Sequence, residues 1–126
     1  MIFFLNTKAD IIMPYVKLQT NKSLSREGKL DLLRDLTSLI SKELNKPEKY
    51  VMTIIQDSQI MLFGNAEDSA AYVEFRSISL PEDQTRSLSR TLSLFLKDQL
   101  MIPSERIFIQ FVNAERHMWG YNATTF

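Results

Sequence analysis

The residues with the clearest chemical potential are Met13-Pro14, which stand at the head of the run Tyr15-Val16-Lys17-Leu18-Gln19. Inside a chain, a proline nitrogen is an amide with neither a basic lone pair nor a hydrogen to donate. At the start of a chain the same atom is a secondary amine. An α-amino group ordinarily titrates at roughly 7.7 to 8.0, and an apolar pocket or a neighbouring cation lowers that value toward neutrality. Such a group can take a proton from carbon and return it elsewhere, which is general-base chemistry. The expectation is therefore translation from Met13 and removal of that methionine, with residues 1–13 as an extension arising from a mis-assigned start and residues 14–126 as the working domain. If residues 1–13 remain attached, Pro14 cannot act as a base. The extension would then add Ile2 to Leu5 as an edge strand, occlude the pocket or be cut off.

Other candidate groups are few. His117 is the single histidine, and the chain has no cysteine. A zinc site, thiolate catalysis and disulfides are thereby disfavoured or excluded. His117, between Arg116 and Met118, reads as an exposed tail residue. Glu67-Asp68 and Glu82-Asp83 read as a turn and a helix start rather than as an acid and base pair. With 15 basic and 15 acidic side chains among 126 residues, there is no electrostatic case for nucleic acid or an anionic membrane surface. The apolar run Ile2 to Leu5 is too short for a membrane span or a signal-peptide core, so a leaderless protein without membrane insertion is expected. A chain of this length forms one domain.

Those groups need elements to position them. Tyr15 to Gln19 reads as a strand. Ser25 caps a helix whose apolar stripe is Leu30, Leu33, Leu36, Thr37, Ile40 and Leu44, and Pro47 follows its end. Tyr50 to Ile55 is a nearly continuous β-branched run that fits a strand covered on both faces. Ile60 to Phe63 predicts a shorter strand before a Gly64-Asn65 turn. Ala70 to Ile78 is a strand with Tyr72, Glu74 and Arg76 on one side and Ala71, Val73, Phe75 and Ser77 on the other. Pro81-Glu82-Asp83 opens a second helix with the stripe Leu88, Leu92, Phe95, Leu96 and Leu100, ended by Ile102-Pro103. Arg106 to Val112 is the last long strand.

The order repeats itself. Pro14 to Tyr50 and Ala71 to Ile107 are both steps of 36 residues, each holding strand, helix and a proline-bearing turn. The predicted fold is α+β: two β-α-β repeats form a mixed four-stranded sheet with two helices on one face. The other face is expected to be too apolar for water, and no third helix remains to cover it. Self-association is the simplest cover.

At this point the chain resembles the macrophage migration inhibitory factor family of the tautomerase superfamily. The resemblance is carried by Met13-Pro14, Lys46-Pro47, Met61-Leu62-Phe63-Gly64, Ser77-Ile78, Pro103-Ser104-Glu105-Arg106-Ile107 and Gly120-Tyr121-Asn122-Ala123-Thr124-Thr125-Phe126, all in the family's order. It implies a homotrimer with active sites between subunits, no cofactor, and keto-enol tautomerase activity on small aromatic acids of the phenylpyruvate or dopachrome type. Pro14 matches the catalytic base. Lys46 matches a lysine that holds the substrate carboxylate and favours the neutral amine, although a lysine before a proline is by itself an ordinary solvated turn residue. Ser77 and Ile78 match a substrate-contacting position, Ile78 being otherwise a packing residue. Tyr15 joins the apolar pocket, and Trp119, with Met118 and Tyr121, matches its aromatic edge. Phe108 stands where the family often has a tyrosine, so a phenolic hydroxyl is missing while the ring remains. Gln110 replaces a common asparagine that meets the opposite subunit. Ala70 and Val73 occupy the family's CxxC positions, so thiol-oxidoreductase activity does not carry over.

Two further functions stand beside the tautomerase. One is a cytokine-like signalling protein, with a receptor as partner and a weak or vestigial pocket, suggested by Phe108. The other is a ligand-sensing or structural module without chemistry. The expected location is cytoplasmic, or outside the cell by a leaderless route.

Overall fold

The computed structural model describes residues 13–126; the edge strand considered for Ile2 to Leu5 lies outside them. Strand β1 is Tyr15–Thr20, helix α1 is Arg26–Leu44 and strand β2 is Met52–Gln56. Strand β3 is Ala71–Ile78, helix α2 is Thr85–Leu100 and strand β4 is Ile107–Ala114. A terminal hairpin pairs β5, Gly120–Tyr121, with β6, Thr124–Thr125.

The four long strands form one sheet in the order β2-β1-β3-β4. β1 runs parallel to β2 with Tyr15 opposite Met52, and β3 runs parallel to β4 with Ala71 opposite Ile107. The two halves meet where β1 lies antiparallel to β3, with Tyr15 opposite Arg76. The two predicted β-α-β repeats and the mixed sheet are thus present. Both helices cover one face. Val16, Leu18, Val73 and Phe75 pack with Leu32, Leu36, Ile40 and Leu44 of α1 and with Leu88, Leu92, Leu96 and Leu100 of α2 in one apolar cluster.

Local chemistry explains the helix limits. The Ser25 side chain accepts from the Gly28 N–H at 3.0 Å, a helix N-cap. Asn45 and Met101 close α1 and α2 in the left-handed conformation, at φ 54° and 58°. Each helix therefore stops three residues before its proline. Pro81 opens a short 3-10 turn, Glu82–Gln84, and α2 begins after it.

Several expectations need correction. The buried stripe of α1 uses Leu32, while Leu30 and Leu33 are half-buried at its margins. Tyr50 closes the 3-10 turn Glu48–Tyr50, and β2 is an edge strand whose ends, Met52 and Gln56, are exposed, so it is not covered on both faces. Ile60 to Phe63 is not a strand: Gly64 and Asn65, at φ 61° and 62°, fold the chain back so that Phe63 forms a lone bridge with Ala66. Arg106 belongs to the 3-10 turn Ser104–Arg106 before β4. The uncovered sheet face is also less apolar than expected. Residues paired across a sheet share a face, so Lys17, Gln19, Glu74, Arg76 and Gln110 lie there among Tyr15, Tyr72 and Phe108. Glu74 and Arg76 are ion-paired at 3.3 Å.

Candidate active site

Pro14 is buried immediately before β1, and its carbonyl accepts the Met52 N–H at 3.0 Å, extending the β1–β2 ladder by one bond. Met13, which precedes it, is also buried. Beside it opens a cleft of about 360 Å³ lined by Met13, Pro14, Tyr15, Lys49, Tyr50, Val51, Met52, Trp119, Gly120 and Tyr121. Three separate segments build it: the head of β1, the turn before β2 and the terminal hairpin.

The walls are aromatic. Tyr50 and Tyr121 meet edge to face with centroids 6.1 Å apart and planes at 81°. Tyr121 in turn stacks on Phe126 at 6.1 Å with planes at 9°. Asn122 and Ala123, at φ 52° and 64°, make the tight reversal that returns Thr124 and Thr125 to this wall. The Phe126 N–H donates to the Arg116 carbonyl at 3.2 Å, and the Trp119 N–H donates to the same oxygen at 3.2 Å. The C-terminal residues are thereby tied down behind the Trp119 to Tyr121 wall of the cleft.

The sequence-predicted site residues divide into separate groups. Pro14, Tyr15 and Trp119 share the cleft. Ser77 and Ile78, at the end of β3, lie one step beyond the Tyr15–Arg76 pair but are buried and do not line it. The Ser77 hydroxyl donates to the Ile78 carbonyl at 2.8 Å. Lys46 follows the left-handed cap of α1. Its N–H donates to the Ser41 carbonyl at 3.0 Å, the Ser41 hydroxyl donates to the Lys46 carbonyl, and its side chain is outside the cleft lining. Phe108 stands toward the opposite end of the sheet and Gln110 near its middle, in register with Glu74 and Lys17, and neither lines the cleft. Phe108 pairs with Tyr72, which pairs with Gln19, four residues along β1 from Tyr15, or about 13 Å at strand rise. The Phe108 ring packs on Phe63 at 4.6 Å, and Gln110 accepts the Tyr72 hydroxyl at 2.7 Å.

Lys49 and Tyr50 are lining residues that sequence reasoning passed over. Their signal was the segment Pro47-Glu48-Lys49-Tyr50, read only as a helix stop and a strand start; the 3-10 turn that brings both into the cleft lining has no pattern of its own in the sequence. A larger, more open groove of about 640 Å³ runs along α2, with Arg86, Ser89, Arg90 and Phe111 in its lining. Pro14 is not among its residues. Among the described residues no group of His, Cys, Asp or Glu side chains could hold a metal ion. Nor is any helix long and apolar enough to cross a membrane.

The sequence and fold have close counterparts. Residues 13–126 match the family model for macrophage migration inhibitory factor. A macrophage migration inhibitory factor homologue of Brugia malayi is 33% identical over 118 residues, covering 90% of this chain and 99% of its own. The Xenopus tropicalis macrophage migration inhibitory factor is 34% identical over 116 residues, with 90% and 99% covered. The crystal structure of a Prochlorococcus marinus homologue superposes with a TM-score of 0.82 at 33% identity, covering 89% of this chain and 98% of that one. With a family model spanning the whole described segment, and fold and sequence in agreement, this chain belongs to the macrophage migration inhibitory factor family.

Proposed function

We propose that the chain is a cofactor-independent keto-enol tautomerase that acts on small aromatic keto acids of the phenylpyruvate type, once the Met13–Pro14 bond is broken. The observation that carries this is the position of Pro14: buried at the head of β1, in an aromatic cleft, in a chain of a family that belongs to the tautomerase superfamily. A free Pro14 amine takes a proton from the carbon beside the substrate carbonyl. It returns that proton to the other end of the enol system, so no redox partner is needed. Tyr50, Trp119 and Tyr121 hold the aryl group by their faces and edges. Lys46, as the resemblance implies, holds the carboxylate from the turn that precedes β2.

Phe108 and Gln110 take part from a neighbouring copy. One chain keeps Phe108 about 13 Å along the strand direction from Tyr15 and Gln110 outside the lining of the Pro14 cleft, so they reach a cleft across a subunit boundary, which a homotrimer would provide. The open edges of β2 and β4, with exposed Met52, Ile60, Leu62 and Phe108, support that assembly. Residence in the cytoplasm or leaderless export is compatible with this function. A signalling role through a receptor is the second possibility, favoured by the missing hydroxyl at Phe108.

The test uses protein that begins at Pro14, verified by intact mass. It is expected to convert the enol of phenylpyruvate to the keto form, and Pro14→Gly is expected to lose at least about 100-fold in kcat/KM while remaining trimeric. Full activity in Pro14→Gly, or in protein that retains residues 1–13, overturns the base assignment.

A further inference from the structure

Lys49 is the one cationic side chain among the residues that line the Pro14 cleft. Its Nζ stands 5.1 Å from the centroid of the Tyr50 ring, and Tyr50 meets Tyr121 edge to face, so the ammonium caps the end of the aromatic wall. The backbone fixes that placement. The Tyr50 N–H donates to the Pro47 carbonyl at 3.2 Å and the Val51 N–H to the Glu48 carbonyl at 3.0 Å, which closes the 3-10 turn with Lys49 on the cleft side. Among the described ion pairs none involves Lys49. Lys46 lies before that turn, between the Asn45 cap of α1 and Pro47, and outside the lining, so the two lysines approach a bound acid from different positions.

We propose that Lys49 forms a second anion subsite at the rim of the Pro14 cleft, making the chain selective for aromatic enol acids that carry a second anionic group on the ring. The proposal rests on the tautomerase assignment above. A monoanionic aryl pyruvate engages one cation and leaves the other beside the ring. A carboxylate at the far side of the ring gives that second ammonium, exposed at the rim beside Tyr50, a partner. A lysine whose stem merely covers Tyr50 would confer no such preference.

The experiment compares phenylpyruvate with 4-carboxyphenylpyruvate on protein beginning at Pro14, as the ratio of the two kcat/KM values. The unsubstituted protein is expected to favour the dicarboxylate about fivefold, mainly through KM, and added salt shrinks the preference. Lys49→Gln is expected to abolish the ratio and Lys49→Arg to keep it. A preference that persists undiminished in Lys49→Gln, or no preference in the unsubstituted protein, overturns the proposal. If neither acid turns over, the tautomerase assignment fails separately, and the subsite is decided by binding. The chain has a single tryptophan, Trp119, and it lines this cleft. Its fluorescence therefore reports binding of 3-(4-carboxyphenyl)propionate, which has no enolisable ketone. Binding about fivefold weaker in Lys49→Gln than in the unsubstituted protein sustains the subsite, and equal binding removes it.

Discussion

The guanidinium of Arg106 lies 5.2 Å from the centroid of the Phe63 ring and donates from Nη1 to the Phe63 carbonyl at 3.1 Å. The same side chain donates to the carbonyls of Ser69 at 2.9 Å, Ala66 at 3.2 Å and Asp68 at 2.9 Å. One planar fork thus gathers the irregular segment between β2 and β3, which has little regular hydrogen bonding of its own. Phe63, so held, is the packing partner of Phe108. Arg106→Ala is expected to destabilise the chain by about 2–3 kcal/mol, because several carbonyls lose a charged donor together. Arg106→Lys should recover only part of this, since an ammonium cannot span the same fork. Chemical denaturation of both variants measures the effect, and an unchanged midpoint for Arg106→Ala would show that water replaces the clamp at no penalty.

Phe108 offers a direct test of the shared site. Its ring is well exposed in one chain and sits far from that chain's Pro14, yet it occupies a position where the family often has a tyrosine. Phe108→Tyr is expected to raise kcat/KM for phenylpyruvate by about tenfold, the worth of one good hydrogen bond to a polar substrate atom. Mixing Phe108→Tyr, Pro14→Gly chains with unsubstituted chains should yield hybrid trimers in which some sites gain the hydroxyl while keeping the amine. Activity above that of the unsubstituted trimer places Phe108 in the neighbour's cleft; no gain in either experiment places it in packing alone.

The regular parts of this fold were legible because their periodicity is locally enforced. Leu88, Leu92, Leu96 and Leu100 recur every fourth residue and all four are buried. Alternation along β3 separated Val73 and Phe75 from Tyr72 and Arg76 as the burial does. Ile60 to Phe63 has the composition of a strand but finds no ladder within its own chain, and composition alone carries no information about a partner. Pro14 and Trp119, both named through the resemblance, line the same cleft. Lys49 was not named, because a lysine in a turn has no sequence signal that distinguishes a cleft from open water.

Asp57 supplies a pH-dependent contribution away from the cleft. Its carboxylate accepts the Leu24 N–H at 2.9 Å and pairs with Lys29 at 3.3 Å, joining the end of β2 to the approach to α1. The Leu24 hydrogen bond is the largest cause that holds its pKa below the ordinary 3.8; burial, next in size, opposes it, and the contacts with Lys29 and Ser58 lower the value further. A carboxylate whose folded pKa is lowered stabilises the fold above its unfolded value and loses that contribution as pH falls through the folded one. Asp57→Asn should therefore lower Tm at pH 7, and the gap to the unsubstituted protein should narrow as pH falls below 3.8. A gap that stays constant between neutral and acidic pH would assign the loss to packing instead of charge.

Met101 is a site where the chain is less stable than it could be. It closes α2 at φ 58° and ψ 36°, a left-handed conformation that burdens a residue with a Cβ by roughly 1 kcal/mol or more, and its side chain is 79% exposed. Its position is imposed from both sides: the Met101 N–H donates to the Lys97 carbonyl at 3.0 Å, and the next residue, Ile102, is fully buried in the core. Glycine meets the same dihedrals without the steric penalty, while the greater freedom it gives the unfolded chain takes back part of the gain. Met101→Gly is expected to stabilise the protein by about 0.5 kcal/mol and raise Tm by roughly 1–3 °C. Asn45→Gly, at the equivalent cap of α1, should change Tm less, because asparagine already tolerates this conformation. If Met101→Gly lowers Tm instead, the exposed methionine is packing against something, and a neighbouring subunit at that helix end becomes the place to look.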